Sequence, residues 1–214
     1  MIWRGFKDFM ATIEINLEKS EEELFLKLDK DAKWGINKAV KSLLIVEVRE
    51  DENTWKDFYE IYKETCLYGK IVPLDIEKVK EGKLFACIFE GKIIAGAVIK
   101  IQEKTITLFL NASQHDYLKF QPNNLLYWSI IKWGGENGYK IFDLGGYQAG
   151  AKPGEKLYDI NRFKLRWGGE IKNYDIYSWN LFYILGRKVI RNFPLVKKTR
   201  DKIKMWMNKE KFKQ

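Results

Sequence analysis

Thr12 to Leu17 alternates apolar and polar positions, which predicts a strand. Ser20 and Glu23 then form the S-x-x-E capping box that opens a helix. Leu24, Leu28, Ala32, Ile36 and Val40 follow at four-residue spacing, a buried stripe on that helix with Gly35 interrupting it. Leu43–Val48 reads as a second strand, and Thr54 as the cap of a helix carrying Trp55, Phe58, Tyr59 and Tyr62. A short helix is expected near Asp75–Glu81. The apolar runs Leu84–Phe89 and Ile93–Ile101, joined at Glu90-Gly91-Lys92, predict a hairpin, with Thr105–Ala112 as a third strand. Pro122 suits the first turn of a helix filled by Leu125, Leu126, Trp128, Ile130, Ile131 and Trp133. A short strand, Lys140–Leu144, runs into Gly145-Gly146; a Gly- and Lys-rich loop precedes a helix near Tyr158–Arg166, and Ile171–Trp179 is the last strand. From Leu181 two amphipathic helices follow, divided by Pro194. This order predicts an α/β (α+β) fold, a mixed central sheet with helices on both faces.

Charge changes the picture through its position. The formal net charge is +9 over 214 residues. Residues 186–214 hold eleven basic and two acidic side chains, so the preceding 185 residues are neutral. The expected organisation is therefore a balanced domain, 1–185, and a basic amphipathic segment, 186–214. Within the latter, Lys197, Lys198, Arg200, Lys204 and Trp206 are the candidates for contact with an anionic membrane or an RNA backbone. A helix packed on the domain with a solvated basic face is the alternative. No apolar stretch is long enough to span a bilayer, the first residues lack a signal-peptide core, and Cys66 and Cys87 have no metal-like spacing. These features lead us to expect a cytoplasmic protein, peripheral at the inner face of the membrane if the basic segment binds lipid, with no metal site.

Familiar catalytic patterns are missing. His115 is the single histidine, in a polar loop, and reads as a surface residue. There is no Walker loop, dinucleotide fingerprint or nucleophile elbow. The informative stretch is 140–170. Asp143 lies at the carboxyl end of a buried strand, where open α/β sheets place ligands. Gly145 and Gly146 allow close backbone approach. Arg162, Lys164 and Arg166 place cations beside Phe163 and Trp167. From these residues alone, a ligand site and a plain glycine turn followed by an amphipathic helix both remain open.

The run Asp143-Leu144-Gly145-Gly146, followed by Phe163-Lys164 and Trp167-Gly168-Gly169, resembles the signature of the Fem-type peptidoglycan aminoacyltransferases, members of the GNAT-fold superfamily. Thr12–Leu17 with Ser20–Leu24 and Lys33–Ala39, and Asn123–Trp128 with Asn137-Gly138-Tyr139, resemble further stretches of that family in the same order. The resemblance spans roughly residues 12 to 192 and implies a GNAT-like fold. It implies transfer of an aminoacyl group to an amine, from aminoacyl-tRNA or acyl-CoA as co-substrate, with no resident cofactor.

On the matching positions, Lys164 is the expected catalytic residue, an ammonium for the oxyanion formed at an acyl carbonyl, with Asp143 orienting the amine or a loop. Phe163, Gly145, Gly146, Tyr147, Arg162, Arg166, Lys33, Lys38 and Asn123 are expected to bind substrate. Family members carry two GNAT-like units, whereas this chain matches the second alone; a homodimer or a partner subunit would supply the first. His115–Asn124 contains no glycine, unlike the pyrophosphate loop of acetyl-CoA-dependent relatives. Alternatives are an acyl-CoA-dependent N-acyltransferase acting on a sugar or small amine, and a non-catalytic module that binds nucleic acid or membrane.

Overall fold

The computed structural model describes residues 6–182 and 184–186. The strands are β1 (Phe6–Asn16), β2 (Ile45–Arg49), β3 (Lys83–Phe89), β4 (Lys92–Gln102), β5 (Thr105–Ser113), β6 (Ile141–Tyr147) and β7 (Glu170–Ser178). The helices are α1 (Glu21–Lys27), α2 (Lys30–Lys41), α3 (Glu52–Gly69), α4 (Ile76–Val79), α5 (Pro122–Glu136) and α6 (Lys156–Leu165). A 3-10 helix, His115–Phe120, precedes α5. Hydrogen bonding orders the strands β2-β3-β4-β5-β6-β1-β7. β2 to β5 are mutually antiparallel, and β6 joins β5 in parallel. The α/β fold class and the mixed sheet are as expected.

The chain divides into two compact units. The larger holds residues 13–145 and 162–170. Its β3 is buried from Leu84 to Ile88, the near-continuous apolar run of a strand covered on both faces. Leu84 belongs to a cluster with Trp55, Phe58, Ile61 and Tyr62 of α3. The next residue, Phe85, points the other way, its ring 5.4 Å from Trp133 of α5. Alternation along one strand thus assigns α3 to one face and α5 to the other. α2 packs on α5 at a point where no side chain fits: a Cβ on Gly35 would lie 1.4 Å from the Asn124 amide nitrogen. Both cysteines are buried, and burial pushes the Cys87 thiol up to about 12.

The described residues of the second unit are 6–12, 146–161, 171–182 and 184–186. In it Lys7 pairs with Asp175 at 2.8 Å. Leu181, Phe182 and residues 184–186 are helical, where the first of the two late helices is expected to begin. The basic residues Lys197, Lys198, Arg200, Lys204 and Trp206 beside them lie outside the described residues.

Three local readings change. The stripe is buried from Leu24 to Ile36, with Val40 exposed, and it belongs to two helices, because the chain is extended at Leu28 (ψ 143°) and Asp29 caps α2 by accepting from the Ala32 N–H. The Asp29 N–H donates to the Arg166 carbonyl at 2.9 Å, so the break is fixed from across the fold. α3 is capped by Asp51 rather than Thr54; the Asp51 carboxylate accepts from the Thr54 N–H and hydroxyl. Finally, the polar loop around His115 is a 3-10 helix, held where Tyr117 and Phe120 join the Phe89 ring at 6.0 and 4.9 Å.

Candidate active site

β6 pairs with β5 only through Thr105–Thr107 against Ile141–Asp143. Gly145 then adopts φ +75°, a left-handed conformation that turns the chain away and that a side chain disfavours. The Asp143 carboxylate fixes this turn by accepting the Gly145 N–H at 2.7 Å, an i to i+2 Asx turn. Beyond Thr107, β5 continues to Ser113 with β4 as its only ladder partner among the described residues. The parallel strands therefore part after Asp143, which leaves the backbone edge of β5 past Thr107 without a β6 ladder partner among the described residues.

Lys164 reaches the start of this divergence from α6. Its Nζ is 3.8 Å from where a Gly145 Cβ would lie, and the Leu108 carbonyl oxygen is 3.7 Å from the same point. Burial lowers the Lys164 ammonium below the usual lysine range, while the charge of Asp143 acts in the opposite direction. A cation taken partly out of water interacts more strongly with a developing negative charge than a solvated one.

Aromatic packing places α6. Tyr127 of α5 meets Phe163 edge-on at 5.1 Å and stacks on Trp167 at 5.3 Å. Burial raises the Tyr127 phenol above its ordinary value, so it is neutral at any ordinary pH. Trp167 is buried, and its indole N–H has no partner among the described residues. The two glycines after it are steric necessities. A Cβ on Gly168 would come within 2.8 Å of Lys27, and one on Gly169 within 2.8 Å of the Glu14 carbonyl. The W-G-G motif thus seats the end of α6 against the chain at Lys27 and β1, behind Lys164.

The structure brings together Asp143, Gly145, Phe163 and Lys164. The other expected binding residues are distributed differently. Arg166 pairs with Asp31 at 3.0 Å and lies 3.7 Å from Asp29, at the N-terminus of α2. Lys33 donates to the Leu26 carbonyl, and Lys38 lies over the Trp34 ring. Arg162 and Gly146 are exposed and Tyr147 is half-buried, the last two belonging to the smaller unit. Asn123 joins Asn111 and Ser113 of β5 in a hydrogen-bonded cluster. Asn111 and Ser113 were not singled out from sequence; their one signal is a polar pair at i, i+2 beside the apolar Ala112. His115 is exposed, its ring 5.9 Å from Tyr68. Among the described residues, no group of three or more His, Cys, Asp or Glu side chains has the arrangement of a metal site. No helix there is long and apolar enough to cross a membrane.

Comparison with known proteins agrees with this geometry. Residues 75–159 match the acetyltransferase (GNAT) domain family. A stretch of 78 residues is 28 % identical to the Lipid II:glycine glycyltransferase of Staphylococcus haemolyticus (strain JCSC1435), covering 36 % of this chain and 19 % of that protein. The crystal structure of FemX superposes with a TM-score of 0.68 at 16 % identity, covering 82 % of this chain and 63 % of that one. The structure of L-PGS from Bacillus licheniformis gives 0.61 at 13 % identity, covering 87 % and 66 %. The chain thus spans less than two thirds of FemX, and its matched stretch about a fifth of the glycyltransferase. Residues 75–159 thus match the GNAT acetyltransferase domain, and the architecture is the fold seen in FemX.

Proposed function

We propose that the chain is an acyltransferase that moves an aminoacyl group from an ester donor, aminoacyl-tRNA, to an amine of a peptidoglycan precursor. The observation that carries this reading is the half-buried Lys164 ammonium beside Gly145, where β5 and β6 part. The acyl carbonyl sits at this divergence. The acceptor amine attacks it, the C–N bond forms, and the carbonyl oxygen gathers negative charge that Lys164 stabilises. The C–O bond to the carrier then breaks, the carrier hydroxyl takes a proton, and the amine loses one through substrate or water. Asp143 is a positioning residue, holding the Gly145 turn that keeps the cleft open.

One feature favours an aminoacyl ester over acetyl-CoA. The segment entering α5 is a glycine-free 3-10 helix. That segment offers no glycine loop to wrap a pyrophosphate. The relative whose name specifies glycine transfer to lipid II supports an amine acceptor on a lipid-linked precursor. In this reading the basic segment 186–214 holds the enzyme on tRNA or on the anionic inner face of a membrane, and a second copy or a partner subunit completes the acceptor site. The match of residues 75–159 to the acetyltransferase domain favours the second reading, an acyl-CoA-dependent N-acyltransferase.

Discharge of a labelled donor tests the proposal. The full chain is incubated with glycyl- or alanyl-tRNA, or with acetyl-CoA, and an amine-bearing precursor. The expected result is a new amide from aminoacyl-tRNA. Product from acetyl-CoA alone supports the second reading, and no amide from either donor overturns both.

A further inference from the structure

Half-way along the open edge of β5 lies a set of neutral polar groups whose orientation is determined. The Asn111 amide nitrogen donates to the Gly96 carbonyl at 3.2 Å and to Asn123 Oδ1 at 3.1 Å. A carbonyl accepts only, so the Gly96 contact fixes which end of Asn111 is the nitrogen. The atom of Asn123 that receives it must then be oxygen. Ser113 Oγ donates to that same oxygen at 2.7 Å. Both hydrogens of the Asn111 amide are consequently engaged, and both lone-pair directions of Asn123 Oδ1 are filled. What remains is one acceptor, Asn111 Oδ1, and one donor group, Asn123 Nδ2, neither with a partner among the described residues. All three side chains are half-buried and hold each other in place.

Their position relative to Lys164 follows from strand geometry. Gly145, beside Lys164, touches β5 at Leu108. Asn111 is three residues further on, about 10 Å at the rise of a β-strand. A group bound by the cluster is therefore in the carrier of the donor, well beyond the acyl carbonyl.

We propose that Asn111, Ser113 and Asn123 form a recognition site for the donor's carrier, and that it takes an uncharged edge offering one N–H donor next to one acceptor. The Asn111 oxygen accepts from the N–H, and the Asn123 nitrogen donates to the acceptor. This rests on the acyl-transfer reading above. The adenine of a 3′-aminoacyl-adenosine has such an edge, its amino group lying beside a ring nitrogen, whereas a trans secondary amide such as those of a pantetheine arm points its N–H and its oxygen in opposite directions. Adenine recognition by asparagine uses the same donor and acceptor pairing.

Asn123→Asp separates recognition from structure. The aspartate oxygen still accepts from Asn111 and Ser113, and a carboxylate in the first turn of α5 suits the helix dipole. The donor toward the ligand is lost and replaced by a repelling acceptor. Binding is measured by calorimetry with a non-hydrolysable 3′-aminoacylamido-adenosine and, separately, with acetyl-CoA. The expected result is at least tenfold weaker binding of the adenosine probe, with an unchanged melting temperature. Loss with the adenosine probe supports the proposal; loss confined to acetyl-CoA, whose adenine lies at the far end of the pantetheine arm from its acyl carbonyl, overturns it. Unchanged affinity in the variant, or a wild type that binds neither probe, overturns the proposal. A cluster that is only structural would instead lower the melting temperature and leave affinity alone. Failure of acyl transfer itself is read separately, from turnover in Lys164 variants.

Discussion

Gly35→Ala replaces a poor helix former with the best one, and yet the packing predicts a loss. In the middle of α2 the exchange alone favours the helix by about 1 kcal/mol. The new Cβ, however, would lie 1.4 Å from Asn124 Nδ2, 2.5 Å from its Cγ and 3.0 Å from its Cβ. Asn124 is 4 % exposed, so its side chain has no open space to enter. With the new Cβ so close, α2 is pushed off α5, with an overpacking cost of about 1–3 kcal/mol, and the amide turns and gives up its hydrogen bond to Gln121 Oε1, at 3.3 Å. A buried amide left without a partner costs about 1–3 kcal/mol more. Offset against the helix gain of about 1 kcal/mol, the net destabilisation is about 1–5 kcal/mol. For a chain of this size that corresponds to a fall in Tm of roughly 2–20 °C. Thermal and urea unfolding followed by circular dichroism measure it. Asn124→Ala removes the two closest atoms, so Gly35→Ala with Asn124→Ala should be more stable than the sum of the single effects by at least about 1 kcal/mol. A Gly35→Ala protein as stable as the wild type, or strictly additive effects, would refute the reasoning.

Four further outcomes follow from the site. Gly145→Ala forces a side chain into φ +75° and places a methyl 3.8 Å from Lys164 Nζ, so turnover should fall while stability drops by about 1–2 kcal/mol, read from rate and melting temperature together. The Lys164 ammonium is held below the usual lysine range, so the alkaline limb of the rate profile should fall below pH 10.5, the ordinary lysine value, and vanish in Lys164→Ala. The same lowering means that the folded chain binds fewer protons than the unfolded one between the two values; the wild type gains stability as pH rises through that window, and Lys164→Met should not. Asn123→Asp should weaken donor binding at least tenfold without a change in melting temperature, as measured by calorimetry.

Much of this fold is legible in local pattern, and the exceptions share a cause. The hairpin at Glu90-Gly91 and the Pro122 start of α5 depend on residues within one turn of themselves, and both are found where expected. The four-residue stripe continues through the break between α1 and α2 because Leu28 remains in the core, 4 % exposed, although its backbone is extended. The break itself depends on Arg166, distant in sequence. Gly35 looked like a flaw in a helix; its reason lies on α5. The 3-10 helix before α5 has a polar sequence and is held by an aromatic partner on β3. At the site, Asp143 and Lys164 were legible through motif resemblance, their proximity being set by the Gly145 turn. Asn111 and Ser113 were not, because their role appears only when the start of α5 is laid against β5.

Lys164 is where the account is most exposed. The direct measurement is the single-turnover rate of amide formation from aminoacyl-tRNA by Lys164→Ala, alongside a circular dichroism spectrum. On the proposed role of Lys164 at the oxyanion, loss of its ammonium predicts a fall of about 10²–10³-fold with the fold intact. An Ala variant that transfers at the wild-type rate would contradict it.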